Sequence, residues 1–510
     1  MSGKNRTLVR KPDYFDRFRC TASACSDNCC IGWEIDIDEK TAGRYKNVSG
    51  ELGKKLREMI SWPGGEEIQT EEVQAGEPPS ERKSPSDREP PHFILQGERC
   101  PFLDRDNLCE IIRELGEESL CDICREHPRY YEWFDGLTEK GVGLCCEAAA
   151  GLILESSEKA EFVTELEEPQ ECEPSQEGEP SQGVGPSQGV ELLREVEPSQ
   201  EANLLQKVEP LQEGKQWDPL LTGLLAARET AFQLLQNREI PLNERLALYL
   251  MFSEDIQDYL SMYADYQETL PQEDGGEADT GEQAGAQTRA KTVQAGREVR
   301  AQTAERIREV AEEYGDPEFI SGLLKDCRED DESGSGNQSG ENKKGEPEHL
   351  LPEKEGNIAV TADGYRTMLQ FLRTLEPVSE QWPELLGCLE GELESVLAKQ
   401  EEFSAYFKER EYQYEHLAVY FTYRYYLKSC FDCDLLSRAV FTVASVLVIR
   451  LFDMEKYAGT GQVTAEEQIE IVRYYSRELE YSLENLEAFS EEVWEGEMFA
   501  LEELLELLFT

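Results

Sequence analysis

The sequence predicts a mainly α fold, with a cysteine-rich metal-binding N-terminal region carrying short strands, a helical C-terminal domain and several disordered insertions. Three observations lead there. Ten of the fifteen cysteines fall between Cys20 and Cys146. From Tyr365 to Thr510 apolar residues recur at helical spacing almost without interruption. No alternation of strand and helix patterns occurs anywhere, which disfavours a doubly wound parallel sheet.

Composition sets the outer limits. A chain of 510 residues with a hydrophobic fraction of 39% has material for a core and for more than one domain. The 107 acidic against 51 basic residues leave a net charge of −56. Such a balance repels phosphate backbones and anionic lipid, so neither nucleic acid nor membrane is expected as a partner. The acidity serves solubility first and attraction for a basic group on a protein substrate second. Met1 to Arg10 is basic but no apolar stretch follows, so no secretory signal is read and a cytoplasmic location is expected. The longest apolar run, Ala439 to Leu451, is shorter than the roughly 20 residues that span a bilayer and reads as a buried helix.

Taken in order, residues 8–154 form the cysteine-rich domain. Alternation at Trp33, Ile35 and Ile37 predicts a short strand, and Asp38 opens a helical stretch carried to Ile60. Residues 63–91 are rich in Gly, Glu, Pro and Ser and read as a flexible insert. A short strand is expected from Phe93 to Leu95. Cys145 and Cys146 are expected in the first turn of a helix that runs to Leu154. Residues 155–215 repeat Pro-Ser-Gln and read as a low-complexity linker. Residues 217–266 supply two amphipathic helices. Residues 267–357 read as mostly flexible insertions around a short helix near 306–324. Residues 358–510 form the helical domain.

In a reducing compartment, clustered thiols favour metal over disulfides. Cys121-Asp-Ile-Cys124 has the spacing that turns two sulfurs towards one ion. Cys25 and Cys29 are more loosely spaced. In the pairs Cys29-Cys30 and Cys145-Cys146 neighbouring side chains diverge, so each pair is expected to give one sulfur to a site. The candidate ligands are therefore Cys20, Cys25, Cys29, Cys30, Cys100, Cys109, Cys121, Cys124, Cys145 and Cys146, of which a subset of about four serves each cluster. Their irregular separations favour an iron–sulfur cluster over zinc, which remains the alternative metal. His127, before Pro128, reads as a structural histidine ahead of a ligand. Cys172, within the Pro-Ser-Gln repeats, is not expected to be a ligand. Cys327, Cys388, Cys430 and Cys433 read as small buried hydrophobes.

Cys100-Pro-Phe-Leu, Leu108-Cys-Glu-Ile and Cys124-Arg-Glu-His-Pro128 resemble the broad family of proteins with a zinc- or iron-chelating cysteine cluster. Asn28-Cys-Cys-Ile-Gly-Trp-Glu-Ile-Asp-Ile-Asp38, Leu120-Cys-Asp-Ile-Cys-Arg-Glu-His-Pro-Arg-Tyr-Tyr-Glu-Trp133 and Gly143-Leu-Cys-Cys-Glu-Ala-Ala149 resemble the flagellin lysine N-methylases more closely. Val419-Tyr-Phe-Thr-Tyr-Arg-Tyr-Tyr426, Asp434-Leu-Leu-Ser-Arg438 and Tyr475-Ser-Arg-Glu-Leu-Glu-Tyr-Ser-Leu-Glu-Asn485 are similar to the same family. The resemblance covers about 8–154 and 217–510, inserts excepted. It implies a lysine methyltransferase that moves methyl from S-adenosylmethionine to lysine side chains of flagellin, with an iron–sulfur cluster of the 4Fe-4S kind. The sequence carries no dinucleotide-type glycine motif after a strand and no Cys-x3-Cys-x2-Cys spacing. A three-cysteine cluster with one open iron would hold the donor's amino and carboxylate groups without a nucleotide-binding sheet.

Lysine chemistry adds a demand. A free ammonium has a pKa near roughly 10.4 and must lose its proton before attacking a methylsulfonium. The aromatic row of Tyr412, Tyr414, Glu415, His416, Tyr420, Tyr423, Arg424 and Tyr425 is the candidate wall of a lysine slot, although such stripes usually belong to a core. Tyr420, Tyr423 and Arg424 are its catalytic candidates. Arg438 and Arg477 are candidates for the donor carboxylate, against the alternative of surface salt bridges. Two other classes stay open: a non-catalytic zinc- or iron-binding module with a helical partner-binding domain, and a redox protein.

Overall fold

The structure is a computed structural model that describes residues 7–25, 29–31, 35–62, 90–97, 99–167, 217–270, 282–329, 358–496, 499 and 501–509. Trp33, Cys172, the insert at 63–89, the Pro-Ser-Gln repeats and the segment 330–357 lie outside the described residues.

The cysteine-rich region contains β1 (Thr7–Pro12), α1 (Glu39–Lys46), α2 (Gly50–Glu58), β2 (Ile60–Ser61), β3 (His92–Phe93), α3 (Glu110–Leu115), α4 (Asp122–Glu126), β4 (Arg129–Phe134), β5 (Leu137–Val142), α5 (Glu147–Glu155) and β6 (Phe162–Glu167). Asp38 caps α1, its side chain accepting from the Thr41 backbone N–H at 2.8 Å. The single helix expected to Ile60 is two helices, because the chain turns at Asn47 and re-enters at Gly50 with φ +79°. Ile35 and Ile37 are buried as the alternation predicts, and Asp36 bridges His92.

The larger sheet has the order β4-β5-β1-β6. Its central pair is parallel, with Leu8 opposite Leu137, while β6 runs antiparallel to β1 and β4 to β5. Residues 162–167 therefore belong to this sheet and not to the linker read from 155 onward. Their apolar positions are too few to signal a strand, and the pairing with β1 spans most of the domain.

The helices that follow are α6 (Pro219–Leu235), α7 (Leu242–Glu268), α8 (Glu282–Tyr314), α9 (Pro317–Glu329), α10 (Ile358–Thr374), α11 (Trp382–Leu397), α12 (Gln400–Phe407), α13 (Tyr412–Tyr425), α14 (Ser429–Asp432), α15 (Leu436–Thr460), α16 (Ala465–Glu480), α17 (Leu483–Glu495) and α18 (Leu501–Phe509). The mainly helical fold is as the sequence predicts. The stretch 282–299, read as flexible, is instead the first half of α8. Its partner is α6, where Gly223 lets the helices meet so closely that an added Cβ would stand 3.0 Å from Ala304. The Ala439 to Leu451 run is the interior of α15, buried almost throughout. Among the described residues no helix is long and apolar enough to cross a membrane.

Two apolar cores result. A small one, built from Ile35, Ile37, Tyr45, Leu56, Phe93, Phe102 and Ile111 among others, lies within the cysteine-rich region. The other is large and joins the sheet, α5 and the helical domain. Sheet and helices are also tied by buried charge. Arg228 on α6 donates to Glu139 on β5 at 2.7 Å and to the Tyr423 carbonyl on α13 at 3.1 Å.

Candidate functional site: a thiol-lined cavity between the two regions

Backbone pairing assembles the cysteines. The Cys100 amide donates to the Cys30 carbonyl at 2.9 Å, which carries the Cys29-Cys30 segment onto the Cys100 loop. Leu103 bridges Cys109, which sits at the N-terminus of α3. Cys121 precedes α4, whose first turn brings Cys124 back beside it. Cys30, Cys100, Cys109, Cys121 and Cys124 thus form an inner group packed on the small core. They feel one another electrically. Burial pushes the Cys100 thiol up to about 11, with Cys109 and Cys121 adding to the rise. A hydrogen bond from Cys124 holds Cys121 below its ordinary value, while the same bond pushes Cys124 up.

A second group faces a cavity of about 410 Å³ lined by Cys20, Cys25, Cys29, Cys30, Cys109, Cys145 and Cys146. Cys145 and Cys146 precede α5 instead of lying in its first turn, because the helix begins at Glu147 with Cys146 as its cap position. This leaves both sulfurs at the junction with the helical domain. Cys145 Sγ lies 2.7 Å from the Tyr481 hydroxyl. A Cβ added at Gly143 would stand 3.3 Å from that hydroxyl and 3.4 Å from Cys145 Sγ, so the close approach depends on glycine. Cys25 Sγ donates to Glu147 Oε2 at 3.4 Å. Burial raises Cys145 to about 12 and Cys146 to about 11.

The wall opposite the thiols is α16, which contributes Arg473, Arg477 and, just beyond its end, Tyr481. Arg473 and Arg477 are one turn apart and so share a face. Arg477 reaches back across the junction, donating to the Ile31 carbonyl at 3.4 Å. His127 lines the same cavity, and burial together with Arg424 lowers it to about 4, so it is neutral at pH 7. Among the described residues no three or more His, Cys, Asp or Glu side chains stand together in metal-holding geometry.

Behind the cavity lies a buried polar hub. Arg424 pairs with Glu480 at 3.0 Å, Tyr425 donates to Glu480 Oε1 at 2.8 Å, and Tyr420 donates to the same carboxylate at 3.1 Å. The Tyr420 hydroxyl also accepts from the Leu144 amide at 3.3 Å, next to Cys145. The structure therefore brings Tyr420 and Arg424 to the rear of the thiol cavity, where they fix Glu480 without lining the cavity. Tyr423 is placed elsewhere. Its hydroxyl donates to the Arg10 and Lys140 carbonyls at 2.8 and 3.1 Å, and its ring stacks on Phe162, so it ties α13 to the sheet. Most of this row is buried in the core, and His416, Tyr420 and Tyr423 also line a separate cavity of about 520 Å³ with Tyr14, Glu158 and Phe162.

Of the two arginines expected to meet the donor, Arg477 lines the cavity and Arg438 does not. Arg438 donates to Asp432 at 3.0 Å, which is the salt-bridge alternative. Cys430 is buried, but Cys388 is exposed, contrary to the expectation of a buried hydrophobe. The side chain of Cys327 lies outside the described residues. Sequence reasoning missed Arg473, Glu147, Glu480 and Tyr481. Only Arg473 left a signal, its spacing of four from Arg477.

Residues 287–507, which include α13 and α16 and hence the hub and the arginine wall, match the FliB lysine N-methylase C-terminal domain. Over these residues, which are less than half of its length, the chain is similar to the FliB lysine N-methylases. A stretch of 154 residues, 29% of the chain, is 27% identical to the flagellar biosynthetic protein FliU of Salmonella muenchen and covers 76% of it. The same identity over 154 residues relates it to lysine-N-methylases of Salmonella typhimurium strain LT2 and Salmonella choleraesuis strain SC-B67. In each of those two the match spans 32% of the relative's length. No solved structure matches.

Proposed function

We propose that this FliB-like chain is a protein-lysine methyltransferase that moves methyl from S-adenosylmethionine to lysine side chains of flagellin, with an iron–sulfur cluster held by its cysteines. The observation that carries this is the cavity in which seven thiols face two arginines of the family-matched domain. Its volume of about 410 Å³ falls in the range of small-molecule sites.

The chemistry of the donor set suits an iron–sulfur group, although the described sulfurs are not gathered in metal-holding geometry. Soft thiolates are what such clusters take, and the ten candidates fall into an inner and a cavity-facing group. The raised thiols of Cys100, Cys145 and Cys146 describe the metal-free protein, and a bound cation would reverse that preference by favouring thiolate. When bound, an iron–sulfur cluster with an open iron would supply a Lewis-acidic anchor for the donor's amino-acid end. The inner pair Cys121 and Cys124, turned together by α4, suits zinc equally well, and metal analysis separates the two.

The chain's own residues supply the rest. Arg473 and Arg477 place guanidinium charge on the cavity wall, suited to a carboxylate of the donor. Glu147, on the facing wall, attracts a lysine ammonium. Desolvation among thiols then favours loss of its proton, because burial penalises the charged amine. The Arg424–Glu480–Tyr420 hub lies directly behind the segment that carries Cys145, to which the Tyr420 hydroxyl is tied through the Leu144 amide. The test is transfer of labelled methyl from S-adenosylmethionine to flagellin, with the modified lysines located by mass spectrometry. Metal bound without any methyl transfer would instead support the non-catalytic module.

A further inference from the structure

A second cavity, of about 300 Å³, lies on the helical domain between the start of α11, the end of α15 and the middle of α16. It shares no lining residue with the thiol cavity. Trp382 forms its floor, with Phe452 at 5.8 Å and Tyr474 at 5.7 Å between ring centroids, tilted 39° and 55° to it. Tyr474 is fixed by a hydrogen bond between its hydroxyl and that of Ser379. These three rings make a half-cage on one side of the space, with Trp382 and Phe452 buried behind it and the partly exposed Tyr474 at its edge, and their negative faces attract alkylated ammonium.

The rim carries charge of one dominant sign. Glu455, Glu467 and Glu470 line the cavity with Lys456 as the cation on the rim. Lys456 is already committed to Glu467 at 3.0 Å. Glu455 and Glu470 make no hydrogen bond or ion pair among the described residues. Glu455 is half-buried, and burial with the nearby Glu392 raises its carboxyl, a cost that a cation in the cavity would relieve. Leu385, 40% exposed, forms an apolar lip beside these carboxylates. An apolar stem ending in a positive charge satisfies the lip, the rings and the carboxylates together.

We propose that this half-cage binds a lysine-type alkylammonium side chain of a protein, methylated or not, as a docking site separate from the thiol cavity. It deepens the lysine-methylation reading, since substrate and product both carry this group, yet the binding stands whether or not the chain transfers methyl. Docking one side chain here would hold a lysine-rich partner while another lysine reaches the thiol cavity.

The full-length protein is titrated calorimetrically with the blocked amino acids acetyl-lysine amide, acetyl-trimethyllysine amide and acetyl-norleucine amide. The first two bind and neutral norleucine does not. Glu455→Gln and Leu385→Arg, both at the rim and neither in the thiol cavity, weaken the cationic ligands by about tenfold. Stronger binding of trimethyllysine marks the site as a reader of product, and equal binding marks it as a reader of lysine charge. Norleucine binding as well as lysine, or unchanged affinity in both variants, overturns the proposal. Methyl transfer to flagellin is measured in parallel. Transfer without rim-dependent binding leaves the methylase reading standing and this one fallen, and rim-dependent binding without transfer does the reverse.

Discussion

The two cores of this protein are built on different terms. The large core joins α5, the sheet and the long helices through buried aliphatic and aromatic side chains, and it has apolar area enough to hold itself together. The small core of the cysteine-rich region has few apolar residues, and five thiols lie in it or pack against it. A region so small ordinarily needs a staple. On the proposed reading, metal at the cysteines would staple the small core, while the helical half would fold without it.

The largest effect should come from taking the thiols away. A Cys109→Ser, Cys124→Ser double variant, or wild type stripped with chelator, is expected to lose bound metal and to be cleaved rapidly by protease within 35–126. The helical half should keep its far-ultraviolet circular dichroism. Equal protease resistance with and without metal would erase the distinction between the cores. Next comes the hub at the junction. Glu480→Gln leaves Arg424 buried without its counter-charge and should destabilise the protein by about 3–5 kcal/mol in denaturant titration. A smaller loss would mean that the hub is not a structural part of the junction.

The helical core has its own pH dependence, independent of the thiols. Asp453, fully buried beside Tyr414 and Gln468, has its carboxyl pushed from 3.8 up to about 7 by burial. The native state therefore holds a proton that the unfolded chain has released, so stability falls as pH rises from about 4 to about 7 and levels off on either side. Asp453→Asn should flatten that slope, which thermal melts across the window would reveal. The smallest effect belongs to Arg438→Ala. Its partner Asp432 is half-exposed, so the pair is worth less than about 1 kcal/mol, and donor affinity should not change. Arg477→Met, by contrast, should weaken the donor by at least about tenfold if the arginine wall meets its carboxylate.

Legibility in the sequence followed the same division. The helices were readable because periodic apolar faces are local, and the buried helix at Ala439 to Leu451 is where its apolar run places it. The parallel pairing of β1 with β5, and the addition of β6, depend on contacts between distant segments that no local pattern encodes. The polar composition of 282–299 hid half of α8, whose helix is sustained by its packing on α6. At the site, clustered cysteines announced themselves by count and spacing. Arg473, Glu480 and Tyr481 looked like the polar face of an ordinary amphipathic helix. They became part of a site only when α16 was laid against the thiols, and Tyr423, which looked equally promising, turned out to pin α13 to the sheet.

The most direct measurement compares methyl transfer to flagellin from labelled S-adenosylmethionine by one preparation of the full-length protein before and after its iron–sulfur cluster is reconstituted, with iron and sulfide quantified alongside. Methyl incorporation should rise in proportion to cluster content and stay at background in protein lacking iron. Incorporation at an undiminished rate by cluster-free protein would contradict the account.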